Sequence, residues 1–109
     1  MAFDETLAAR VRVVMADRDE VSERRMFGGL TFLLGGHMCC GVHGDELILR
    51  LGRDRATEAL AEPHVRAMDL TGRPLRGFVM VRPEGLAGDA LRRWLELALE
   101  FAASLPPKN

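Results

Sequence analysis

The chain has 109 residues, the size of one domain, and a chain of this length buries roughly two thirds of the surface it exposes when unfolded. Its composition, 48% hydrophobic and 28% charged, is that of a globular protein and excludes a disordered or membrane-embedded polymer. Arginine supplies every cation except Lys108 and the formal net charge is −1. Neither nucleic acid nor anionic lipid is therefore attracted by overall charge, and direct contact with either is not expected.

From Asp4 to Asp17 the spacing of Leu7, Val11, Val14 and Met15 predicts an amphipathic helix, with Asp4 placed to cap it. The charge scattered through this segment excludes a signal-peptide core or a membrane span, so a cytoplasmic protein is expected. A polar connector, Asp17 to Glu23, follows. Gly28 and Gly29 are read as a bend into the first strand, Leu30 to Leu34. Gly35-Gly36 supplies the positive φ angles of a two-residue hairpin, and His37 to Val42 is the second strand. After a turn at His43-Gly44-Asp45 comes a third strand, Glu46 to Leu51, in which Leu47, Leu49 and Leu51 alternate with Ile48 and Arg50.

Asp54 is placed to cap a short helix reaching about Glu62, with Ala56, Ala59 and Leu60 inward and Pro63 as the stop. Val65 to Leu70 and Phe78 to Arg82 read as strands flanking a turn at Thr71-Gly72-Arg73-Pro74. The last helix is predicted from Leu86 to Leu105, aligning Leu91, Trp94, Leu95, Ala98, Ala102 and Leu105, with Pro106-Pro107 ending it. The order α-β-β-β-α-β-β-α is that of an α+β, two-layer α/β sandwich: a mostly antiparallel five-stranded sheet with all helices on one face.

Several residues carry a family likeness. Arg25-Met26-Phe27-Gly28-Gly29, then Gly36 and Met38, the leucine-rich strand ending in Arg50, the Gly72-x-Pro74 turn, and Trp94 within the last helix resemble the N-terminal domain of the TfoX/Sxy family. The resemblance spans essentially the whole chain and implies the same two-layer fold. Full-length TfoX/Sxy proteins are bacterial regulators of competence genes that act with a transcription activator. They carry a second, helical C-terminal domain, which these 109 residues are expected to lack. No catalytic residue comes with the resemblance.

One cluster has the chemistry of a site. In His37-Met38-Cys39-Cys40-Gly41-Val42-His43, a regular strand would point His37, Cys39 and His43 to one face and Cys40 to the other. Imidazole and thiolate suit zinc or another soft metal, so His37, Cys39, Cys40 and His43 are the candidate metal ligands. A strand from His37 to His43 spans about 20 Å at roughly 3.3 Å per residue. One ion would therefore need a bend at Gly41, or a further ligand such as His64. The adjacent cysteines cannot form a loop-closing disulfide. They read either as small core residues or as a reactive thiol activated by Arg24, Arg25 or Arg50. The glycine pairs do not form a phosphate loop, since neither opens a helix or carries the lysine and hydroxyl.

Two functions of different class follow. The first is a non-catalytic regulatory or protein-interaction module, self-associating through apolar residues left outside the helical cover, with Ile48, Met68 and Val79 or Val81 as candidates. The second is a small metal- or thiol-dependent protein using the His37 to His43 cluster.

Overall fold

The computed structural model describes residues 3–26 and 28–106. Phe27 of the Arg-Met-Phe-Gly-Gly element and Pro107 of the helix stop lie outside the described residues. Helix α1 (Glu5–Met15) is followed by four strands, β1 (Val21–Met26), β2 (Gly29–Leu34), β3 (His37–His43) and β4 (Glu46–Arg50). Then come α2 (Arg53–Ala59), β5 (Val65–Ala67), β6 (Phe78–Val81), a 3₁₀ turn (Pro83–Leu86) and α3 (Ala90–Ser104). The sheet has six strands in the order β1-β2-β3-β4-β6-β5, every neighbouring pair antiparallel. The α+β class and the one-sided helical layer agree with the sequence; the strand count is one higher.

The local chemistry explains each boundary. Asp4 caps α1, its Oδ1 accepting from the N–H groups of Thr6 at 2.8 Å and Leu7 at 3.2 Å. Leu7, Ala8, Val11 and Met15 are the buried stripe. Helix α2 begins two residues earlier than the Asp54 cap allows: Gly52, at φ 86°, is the cap, and Asp54 falls in the first turn. There its charge complements the helix dipole. The last helix begins later than Leu86, because Pro83–Leu86 forms the 3₁₀ turn and Gly88, at φ 57°, separates it from α3.

Strand β5 is shorter than the segment Val65 to Leu70 because the chain leaves the sheet at Met68. Leu75 N–H bonds back to Met68 O at 2.9 Å, closing a loop across the other face of the sheet. This loop corrects the expectation of an uncovered second face. Ile48, Met68 and Met80 form a small separate core there, with Met38, Leu70, Leu75 and Phe78 packed against it. Val79 and Val81, by contrast, face the helices in the main core with Phe32, Leu47, Leu49 and Leu95. The large hydrophobic side chains exposed among the described residues are Val13 and Leu60, far too little for an apolar docking face.

Candidate functional site

Strand β1 occupies what the sequence presents as a polar connector. Its residues Ser22, Glu23, Arg24 and Arg25 are exposed, and it pairs along its full length with β2, from Val21 opposite Leu34 to Met26 opposite Gly29. Two residues therefore link β1 to β2. Such a short link requires Met26 and Gly29 to exchange the closing hydrogen bonds. Gly35 N–H also bonds to Glu20 O, at 3.1 Å, in the same register. Even-numbered residues of β1 thus bond to β2, and the N–H and C=O groups of Val21, Glu23 and Arg25 point away from the sheet. Among the described residues nothing pairs with that side, so it is an open edge. At the opposite side β5 has only three residues, and Arg66 there is held by Glu46 and Asp69 at 3.0–3.2 Å.

The family-motif residues build this edge. Gly28 sits at φ 73°, in the left-handed region that hairpin links use. Gly29 is fixed by crowding: a Cβ there would lie 2.1 Å from the carbonyl oxygen of Val42, so β2 and β3 approach at a distance only glycine allows. The Arg25 guanidinium lies over the Phe3 ring, 5.6 Å from its centre. On the helix side Arg12 donates to both carboxylate oxygens of Glu23, at 2.7 and 2.9 Å, tying α1 to β1. That hydrogen-bonded cation lowers the Glu23 pKa below its ordinary value.

The His37 to His43 cluster is arranged differently from a regular strand. Leu33 pairs with Met38 while Phe32 pairs with Cys40, so Cys39 is an extra residue, a β-bulge. Because of it Cys39 and Cys40 are both buried in the helix-side core, 1% and 0% exposed, instead of pointing to opposite faces. A hydrogen bond with Cys39, together with burial, pushes the Cys40 thiol well above its ordinary value, opposite to the activation that nearby arginines would give. His37 shares the pair with buried Leu34 and its Nε2 lies 2.6 Å from the Pro106 carbonyl oxygen, beyond α3. His43, next to buried Val42, turns to the other face, toward Gly28. The bulge thus separates the two imidazoles. Among the described residues no group of three or more His, Cys, Asp and Glu side chains is gathered to hold a metal ion, so His37, Cys39, Cys40 and His43 do not fit a zinc site.

The architecture defines a class: a one-sided α+β domain whose six-stranded antiparallel sheet ends in a long, charged, open strand. Residues 14–102 match the TfoX N-terminal domain, and the chain belongs to that family. No curated protein and no solved structure matches it. Among the described residues no helix is long and apolar enough to cross a membrane.

Proposed function

We propose that this domain is a non-catalytic regulatory module that works by protein interaction in the reducing cytoplasm, and that β1 is its contact strand. The partner is a second copy of the chain. The observation that carries this reading is the outward row of backbone groups at Val21, Glu23 and Arg25 on a strand with no neighbour on that side among the described residues.

A twofold axis normal to the sheet keeps both helical layers on one side, and it makes each residue oppose one of the same parity. Centring the axis on Arg24 sets Glu23 opposite Arg25 of the second copy, twice over, on the helix side. Centring it on Glu23 would oppose like carboxylates. The first register is favoured by charge, despite Arg24 meeting its copy on the other face. Roughly four interchain hydrogen bonds at about 1 kcal/mol net each put the dimer near the millimolar range, suited to a switchable contact.

Sedimentation equilibrium up to millimolar protein tests it. Wild type is expected to dimerise, and Glu23→Pro, which removes an outward donor and no bond to β2, is expected to stay monomeric with unchanged circular dichroism. A monomeric wild type, or a proline variant that dimerises equally well, would overturn the proposal.

A further inference from the structure

Away from β1, where β4 runs out and α2 begins, a cleft of about 500 Å³ is lined by Arg50, Arg53, Arg76, Asp54, Phe101 and the backbone of Gly52 and Gly77. Arg50 is the unusual member. It is half-buried, and its guanidinium lies over two rings, 5.7 Å from the centre of Phe78 and 5.5 Å from that of Phe101. Its contact with Met38 O, at 3.5 Å, is long. Ion pairs among the described residues are those of Arg12 with Glu23, Arg55 with Glu100, and Arg66 with Glu46 and Asp69. Arg50, Arg53 and Arg76 take part in none of them.

Three arginines line the cleft against the single carboxylate of Asp54, in a protein whose net charge is −1. The cleft is therefore about two positive charges in excess, matching the −1.5 to −2 that a phosphomonoester carries near neutral pH. The volume lies in the range of small-molecule sites, roughly 300–1,000 Å³. The two rings hold the Arg50 fork in place before any ligand arrives, so little side-chain freedom is left to lose on binding. Phe101 is itself anchored: it lies so close to Gly52 that a Cβ there would come within 2.7 Å of its ring. An aromatic wall thus stands beside a guanidinium held between two rings, with the exposed residues Arg53 and Arg76 also lining the cleft.

We propose that this cleft binds a small phosphomonoester, its phosphate held by Arg50, Arg53 and Arg76 and its organic part laid against Phe101. The site does not depend on strand pairing at β1. Calorimetric titration of the full chain with phenyl phosphate, inorganic phosphate and succinate tests it. Phenyl phosphate is expected to bind saturably at one site and more tightly than inorganic phosphate. Arg53→Gln and Arg76→Gln, exposed positions that leave the core intact, are each expected to weaken it about tenfold through loss of a charge-assisted contact. Phe101→Leu is expected to erase the advantage of the phenyl group while inorganic phosphate still binds. No saturable binding, binding indifferent to both arginine variants, or succinate binding as tightly as phenyl phosphate would each overturn the assignment.

Discussion

On the helix side of the sheet, Phe32, Leu47, Leu49, Val79 and Val81 lie under the stripes of three helices, whereas on the other side Ile48, Met68 and Met80 are enclosed by a loop through Leu70 and Leu75. Both sets are almost wholly removed from water. The means differ. A helical stripe covers several strands at once and is written in the sequence as a period; a loop covers only what it crosses, through a few side chains with no period at all. Apolar residues on a sheet face without helices are thus no sign of a docking surface until the connecting loops have been placed.

Truncation separates the two sides. Leu49→Ala, in the middle of the helix-covered core, is expected to cost about 3–5 kcal/mol, since many rigid neighbours surround the cavity it leaves. Urea unfolding should show the midpoint falling with little change in slope. Met80→Ala empties the smaller core, where the loop can settle inward, and about 2 kcal/mol is expected. If the two losses prove equal, the loop is as unyielding as the helices and the distinction fails.

The smallest effect concerns the ion pair that fastens α1 to β1. Arg12 and Glu23 side chains are 45% and 38% exposed, so solvent screening keeps the pair's worth below about 0.5 kcal/mol. Glu23 is held below its ordinary value of 4.5, so its stabilisation is present above about pH 4.5 and is lost as pH falls through the lower folded value. Melting temperatures of wild type and Glu23→Gln should differ slightly at pH 6 and converge at more acid pH.

How much of this was legible in the chain depends on where the physical signal lies. Gly35-Gly36 and the alternating leucines of β4 are local patterns, and both mark the strands they suggest. Strand β1 was hidden because it is an edge: its helix-facing Glu23 meets an arginine rather than the core, so no apolar alternation survives. The bulge left one trace, two consecutive cysteines that a regular strand cannot bury on the same side, and beside two histidines that trace suggests ligand chemistry as readily as a core position. The arginine cleft had no trace at all. It joins positions 50, 53, 76 and 101, which only the seam between β4 and β6 and the return of α3 bring together.

From β1 to β4 each strand lies beside its predecessor in the chain, so zipping this part of the sheet closes only very short loops and sacrifices little chain entropy. Strand β6 reaches β4 only after all of residues 51–77 have been looped out, and β5 joins the sheet only through β6. Closing that loop is the longest-range step in assembling the sheet, and destabilising mutations at the β4–β6 seam are expected to slow folding, measured by stopped-flow refolding, more than the same changes in the first hairpin.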